Sequence, residues 1–287
     1  MSTTMASHQK DRFKGAVFAV SGAASGIGKA LAFELADAGC ELALCDKSAD
    51  NLQSVKSELL DTYPHCVVHT FVVDVSDKNQ VTQWAKECED RFNNIHGLIN
   101  NAGVSLSASF ESLDMEDFHW VMNVNFWGVV YSTQAFLPLL KKSPWGQIIN
   151  ISSLFGLIST PNNSSYNASK FAVRGFSESL SIELQISAPH LSVTCVHPGG
   201  VKTGIVTNGK DGAARVGAAS QLTKAQREKK FDEIYAKTTA QQAAAIIMAG
   251  IRKRQRRVLV GKDARFFDRI QRIAPVKYQN LMIKLFG

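Results

Sequence analysis

No stretch of this sequence approaches the ~18 consecutive apolar residues that a membrane-crossing helix needs, so no spanning helix is expected. Its five cysteines (Cys40, Cys45, Cys66, Cys88 and Cys195) are odd in number, and no two form a Cys-x-x-Cys pair. That argues against a disulfide framework and against a zinc site, and it fits a reducing compartment. No tandem repeat and no linker-like shift in composition divides the chain. Export is not expected either. Lys10, Arg12 and Lys14 ahead of Gly15-Ala-Val-Phe-Ala-Val20 mimic a signal peptide's basic and apolar regions, but the run is short and turns at once into a glycine pattern. The expectation is a cytoplasmic protein.

What is present is ordinary globular material: 287 residues, 45% apolar and 20% charged, at the upper end for one hydrophobic core. The net charge of +7 permits anionic partners, whether nucleotides, acidic substrates, membrane surfaces or nucleic acid, and selects none of them.

Taken in order, residues 1–12 read as a polar, flexible tail. Ala16-Val-Phe-Ala-Val20 is a short apolar run suited to a strand buried on both faces. Ser21-Gly-Ala-Ala-Ser-Gly-Ile-Gly28 follows directly, and apolar residues then recur at helical spacing to Ala38, with Gly39 as a stop. Glu41-Leu-Ala-Leu-Cys45 is a second strand ending at Asp46. The alternation continues with helices near 48–61 and 78–92, and strands near 67–73, 97–100, 147–151 and 191–196. A long helical pattern spans 114–141, and another helix runs from about 164 to 186. After Pro198 the pattern breaks for about 40 residues, which include a helical stretch near 222–236; segments of this length are usually lids or disordered. A helix near 240–251, the basic run Arg252-Lys-Arg-Gln-Arg-Arg257 and a last strand at 258–260 complete the pattern.

Regular alternation of this kind predicts an α/β fold: a Rossmann-type, doubly wound, mostly parallel seven-stranded sheet with helices on both faces. The organisation expected is a single domain over 13–262, with 199–240 as a substrate-binding loop or lid, and a C-terminal extension over 263–287.

Two constellations carry chemistry. Gly22, Gly26 and Gly28 lie between a strand and a helix, where glycine allows a tight turn and lets backbone N–H groups approach a pyrophosphate. Asp46, eighteen residues beyond Gly28, ends the next strand, about where an acid meets an adenosine ribose hydroxyl. Its carboxylate would repel a 2′-phosphate and so favours NAD, while Lys47 beside it leaves NADP open. The second constellation is Tyr166 and Lys170, one helical turn apart on one face. A phenol titrates near ~10, too high for proton transfer at neutral pH, and a nearby ammonium would lower it.

These residues, with others, resemble the short-chain dehydrogenase/reductase family over about residues 13–204. Ser21-Gly-Ala-Ala-Ser-Gly-Ile-Gly28 is similar to the family's T-G-x-x-x-G-x-G, with Ser for the leading Thr, and Asn100-Asn-Ala-Gly103 is its N-N-A-G. Tyr166 and Lys170 match its Y-x-x-x-K pair. Ser153, thirteen residues before the tyrosine, stands where the family has its catalytic serine, with Ser152 one position off; Asn125 matches its helix asparagine. The resemblance implies Asn125, Ser153, Tyr166 and Lys170 as the catalytic set. The cofactor contacts it implies are Ser21, Gly22, Ser25, Gly26, Ile27, Gly28, Asp46, Asp74, Val75, Asn101, Ala102 and Gly103, together with Tyr166, Lys170, Pro198, Gly199, Val201 and Thr203. Ser153, Leu154, Phe155 and Tyr166 would meet the substrate, a medium or bulky apolar secondary alcohol or ketone. The alternatives are an NADPH-dependent 3-oxoacyl thioester reductase and a non-catalytic dinucleotide-binding regulator.

No metal and no nucleic acid is expected, and the family resemblance implies a homodimer or homotetramer. The basic run at 252–257 reads as a solvated helix end, where cations complement the dipole, and His197 as a structural residue. Phe266, Phe267, Ile270 and Ile273 recur at helical spacing among Arg265, Arg269, Arg272 and Lys277. Such a stripe packs on a core or a partner subunit, or else forms a pocket wall or a peripheral anchor on a membrane surface.

Overall fold

The computed structural model describes residues 12–287. Of the tail expected over 1–12, only Arg12 falls within the described residues. It is not loose: its guanidinium lies 4.6 Å from the centroid of the Trp145 ring.

Seven strands form one parallel sheet: β1 (Val17–Ser21), β2 (Glu41–Asp46), β3 (Val68–Val72), β4 (Gly97–Asn100), β5 (Gly146–Ile151), β6 (Leu191–Pro198) and β7 (Arg257–Val260). Their spatial order is β7-β6-β5-β4-β1-β2-β3, and every pairing is parallel. Helices fill the crossovers: α1 (Gly26–Asp37), α2 (Ala49–Thr62), α3 (Lys78–Arg91), α4 (Met115–Met122), α5 (Gly128–Lys142), α6 (Ser164–Ser187), then α7 (Lys224–Lys230) and α8 (Ala240–Arg252).

The central strands are buried along nearly their whole length because both faces are covered, while the edge strand β3 is partly exposed. Successive side chains point to opposite faces, and β1 shows it. Phe18 and Val20 join Leu42, Leu44, Ile149 and Val258 in a core that includes residues of α1 and α8. Val17 and Ala19 join Ala43, Leu98, Ile148 and Val193 in the core on the other face, with residues of α3, α5 and α6. The strand order reverses between β1 and β4, which opens a crevice beyond their carboxyl ends. Gly22 and Asn101, the residues that follow these two strands, stand at its floor.

Three expectations change in detail. The helix expected over 114–141 is interrupted by a wide π turn at Asn123–Trp127, and the one near 222–236 is α7 continued by a π turn at Phe231–Tyr235. The basic run is a helix end, since α8 stops at Arg252, but much of it is held against the protein rather than solvated. Arg254, in the left-handed region at φ 51°, donates to the His190 carbonyl at 2.6 Å and to Ser192 Oγ at 3.2 Å. Arg257 reaches Glu178 at 2.6 Å and Asp268 at 3.2 Å.

The C-terminal segment forms two helices, α9 (Lys262–Ile273) and α10 (Tyr278–Phe286). Tyr278 and Met282 bury against Leu154 and Ile158, with Phe267, Ile270 and Leu281 packed around them. Ser159 donates its backbone N–H to the Tyr278 hydroxyl at 3.1 Å. No helix among the described residues is long and apolar enough to cross a membrane.

Candidate active site

One continuous cleft of about 1560 Å³ runs from the glycine turn to the C-terminal helices. Its first wall is the turn after β1. Gly22 has φ 63°, and a Cβ there would stand 2.7 Å from the Ala102 Cα, so only glycine fits. The Ser21 hydroxyl accepts from the N–H groups of Asn101 and Ala102 at 3.0 and 3.2 Å. Asn101 Nδ2 donates back to the Ser21 and Gly22 carbonyls at 3.1 and 3.0 Å. A Cβ on Gly28 would lie 2.1 Å from the Gly22 carbonyl oxygen. Ser21 and Gly28, both expected as cofactor contacts, therefore stand behind the cleft and clamp its wall; neither lines it.

Gly22, Ser25, Gly26 and Ile27 do line the cleft. No side chain caps the N-terminus of α1 and no acid sits in its first turn. Its orphan N–H groups, with the helix dipole behind them, suit an anion. The Asp46 carboxylate is oriented by backbone N–H groups, from Ala24 at 3.1 Å and Ser48 at 3.0 Å. Asp74 accepts from the N–H and hydroxyl of Ser76 at 2.9 and 2.6 Å. Val75, Asn101, Ala102 and Gly103 line the floor, and Pro198, Gly199, Val201 and Thr203 the far side. Thr203 faces Gly26 across the opening, its γ-methyl 3.2 Å from where a Gly26 Cβ would stand.

The remaining predicted residues converge beyond this floor. Tyr166 and Lys170 occupy successive turns of α6, with Lys170 Nζ 5.7 Å from the phenol ring centroid. Ser153 follows β5, and its hydroxyl is near enough to the Tyr166 phenol to favour the phenolate. It also accepts from Phe155 N–H at 3.1 Å, which fixes its rotamer. Ser152 is engaged elsewhere: its buried hydroxyl donates to the Lys170 carbonyl at 2.8 Å. Asn125, fully buried on the π turn, accepts from Val104 N–H at 2.8 Å and donates to Val104 O at 2.9 Å and Ser169 Oγ at 3.1 Å. Gly103 lies between Asn125 and Lys170, since a Cβ on it would stand 3.2 Å from Asn125 Oδ1 and 3.5 Å from Lys170 Nζ. Leu154 lines the cleft, and Phe155 meets the Tyr166 ring edge-on at 6.2 Å.

The electrostatics differ from the sequence expectation. Lys170 is buried, donates to the Ile151 carbonyl at 3.0 Å, and burial brings its ammonium down to about 8. Burial pushes the Tyr166 phenol above its ordinary value, opposed by the neighbouring Ser153 hydroxyl. In the ligand-free protein Lys170 does not draw the phenol down, because the desolvation of both groups outweighs an attraction acting over this separation.

Several residues at the site gave no sequence signal. Asp263, at the start of α9, accepts from Gly200 N–H at 2.7 Å and so holds the loop after β6. Ile158, Phe231, Met282, Leu285 and Phe286 line the outer cleft. His197, expected as structural, is fully buried under the serine loop: its Nδ1 lies 2.9 Å from the Ser153 carbonyl oxygen, and Nε2 has no partner among the described residues. A carbonyl only accepts, so Nδ1 carries the proton. Burial brings His197 down to about 4.

That displacement has a thermodynamic sign. Between about 6.5 and 4 the unfolded chain holds a proton on this residue that the native protein does not, so stability falls as pH drops through that window. The expected loss is on the order of 3 kcal/mol, absent in His197→Asn. Urea unfolding of both proteins at pH 7 and pH 4 checks it; equal losses in the two would reject the assignment.

The comparisons with known proteins agree with this geometry. A family model described as short chain dehydrogenase matches residues 16–214. A putative oxidoreductase, SadH, of Mycobacterium tuberculosis is 39% identical over 270 residues, spanning 94% of this chain and 95% of that protein. Levodione reductase of Leifsonia aquatica is 32% identical over 206 residues, 71% of this chain and 76% of that one. Among solved structures, a short chain dehydrogenase/reductase from Burkholderia phymatum in complex with NAD superposes with a TM-score of 0.81 at 26% identity, covering 95% of this chain and 96% of that one.

Proposed function

The chain belongs to the short-chain dehydrogenase/reductase family of NAD(P)-dependent oxidoreductases, and on that premise we propose that it moves hydride between nicotinamide and the carbinol carbon of a medium or bulky apolar secondary alcohol, or its ketone. The observation that carries this reading is a single cleft holding both halves of the chemistry. The uncapped N-terminus of α1 and the oriented Asp46 carboxylate lie at one end, and Ser153, Tyr166 and Lys170 at the other.

The residues present fit a dinucleotide. Gly22 admits no Cβ, the α1 N–H groups are free for phosphate oxygens, and Asp46 suits ribose hydroxyls. Lys170, a buried cation, is within reach of the same floor beside Gly103. Bound there, NAD(P) supplies the hydride donor or acceptor. Tyr166 exchanges the proton with the substrate oxygen, giving it in ketone reduction and taking it in alcohol oxidation. Ser153 hydrogen-bonds the same oxygen and fixes its approach. With the cofactor bound, Lys170 would hold ribose hydroxyls and, together with the cationic nicotinamide ring, favour the phenolate. Asn125 is a positioning residue, since its side chain is committed to Val104 and Ser169 and holds the π turn beside Lys170. Leu154, Phe155, Ile158 and Met282 favour an apolar substrate body.

A panel of secondary alcohols and ketones, run separately with NAD(H) and NADP(H), tests the reading; nucleotide binding without turnover of any of them would leave only the regulator. Asp46 supports NAD as the cofactor. Asp46→Ala is expected to shift the ratio of kcat/KM for NAD over NADP by on the order of tenfold or more towards NADP, because one carboxylate-phosphate repulsion is removed. An unchanged ratio would remove Asp46 from cofactor selection.

A further inference from the structure

The helical pair α9–α10 has two unlike faces. Inward, Tyr278 and Met282, with Phe267 and Ile270, pack on the serine loop. Outward, Phe266, Ile273, Val276 and Ile283 are exposed by 55, 85, 70 and 66%. Singly exposed apolar residues need no explanation, but these four fall within eighteen residues, on α9, α10 and the turn between them, interspersed with cations. Lys262, Arg265, Arg269, Arg272, Lys277 and Lys284 are all exposed.

The two acids of this segment are turned away from that surface. Asp263 holds the Gly200 N–H, and Asp268 is buried against Arg257 and Arg272. The outer face therefore presents apolar groups and positive charge with no exposed aspartate or glutamate side chain of its own. It also adjoins the cleft. Leu285, 54% exposed, and Phe286 line the cleft's outer wall; Phe286 stacks on Tyr235, and Tyr235 and Ile234 of the lid are exposed at the same rim. The lid acids Asp232 and Glu233 sit among Lys229, Lys230 and Lys237 in the sequence.

Apolar side chains among lysines and arginines, on helices with no spanning length, match the chemistry of an anionic bilayer surface. The apolar groups enter the headgroup boundary and the cations meet lipid phosphates and carboxylates. We propose that the outer faces of α9 and α10 dock on an anionic lipid surface, with the apolar rim of the cleft held beside the bilayer, so that membrane-dissolved substrates reach the cleft without crossing bulk water.

The test is sedimentation of the full chain with vesicles of phosphatidylcholine alone, and of phosphatidylcholine with phosphatidylserine, at low and physiological salt. Two variants avoid every residue that lines the cleft: Arg269→Glu, and Ile273→Ser with Ile283→Ser. All three sites are exposed, so folding is not at risk, and circular dichroism and NADH affinity should match the parent protein. The parent is expected to sediment with the phosphatidylserine vesicles and far less with phosphatidylcholine alone. Each variant is expected to lower that partition by on the order of tenfold or more.

Absence of binding at low salt would overturn the proposal, as would variants that bind like the parent. A change in the mass of the free protein in the variants, without vesicle binding, would instead show that a second copy covers this face. Vesicle binding is read without turnover, so a wrong reaction assignment would leave this result untouched.

Discussion

Tyr166→Phe is expected to lower kcat/KM by on the order of 10³–10⁴-fold in either direction, the upper part of the range that a positioned acid or base contributes. Affinity for NAD(H), read by fluorescence titration, should stay at the parent value. The substitution removes one oxygen. The ring remains to meet Phe155 edge-on at 6.2 Å, and the backbone of α6 is unaltered. What disappears is the hydroxyl beside Ser153 and the proton it carries. Because burial raises the phenol in the ligand-free protein, Tyr166 is neutral at pH 7 and ready to donate. Ketone reduction should therefore run well at neutral pH and slow as pH rises. Alcohol oxidation, which needs the phenolate, should rise with pH. Ser153→Ala, which keeps the phenol, should cost less than Tyr166→Phe. Turnover retained by Tyr166→Phe would sink the proton-transfer role.

The parts of this molecule that were legible in sequence are those governed by local pattern. The run Val17–Ser21 had to be a strand buried on both faces, because five consecutive small or apolar residues end at a glycine turn. Gly22 had to be glycine, and the structure gives the reason in the approach of Ala102. Tyr166 and Lys170 are visible as an i, i+4 pair, and Ser153 is reached only through the resemblance to the family, which has its serine thirteen residues before the tyrosine. What is not legible lies in contacts between distant segments. Ser21 and Gly28 sit inside a recognisable motif, yet its hydrogen bonds and close packing face Asn101 rather than the cleft. The π turn at Asn123–Trp127 leaves the helical periodicity almost intact, so a pattern read over 114–141 cannot detect it. Asp263 carries no sequence signal, and only the fold brings it to Gly200. The rise of the phenol in the ligand-free protein is not legible either, because a sequence shows the ammonium four residues away and not the burial of the phenol itself.

Lys170→Met should stabilise the ligand-free protein at pH 7 while lowering kcat/KM by on the order of 10²–10³-fold. The argument runs from burial. Lys170 is 3% exposed, and its ammonium titrates at about 8 instead of 10.5. Between these values the unfolded chain binds a proton that the native protein lacks, so wild-type stability rises with pH across the window. Below about 8 the lysine is charged in both states, and the folded protein bears the whole cost of burying that charge, on the order of 3 kcal/mol. Methionine is unbranched, of similar length and apolar, and removes that cost. Against it stands the Ile151 carbonyl, which loses a donor at 3.0 Å, a loss of about 1 kcal/mol. The net expectation is a gain of roughly 1–2 kcal/mol, read as a higher urea midpoint at pH 7 that narrows as pH climbs from 8 towards 10.5. NADH affinity should fall in the same variant, because the group that would hold the ribose hydroxyls is gone. A destabilised Lys170→Met protein would mean that the lysine is part of what holds β5 against α6. A stabilised but inactive one would mean that this position keeps a costly buried charge because the reaction at Tyr166 needs it.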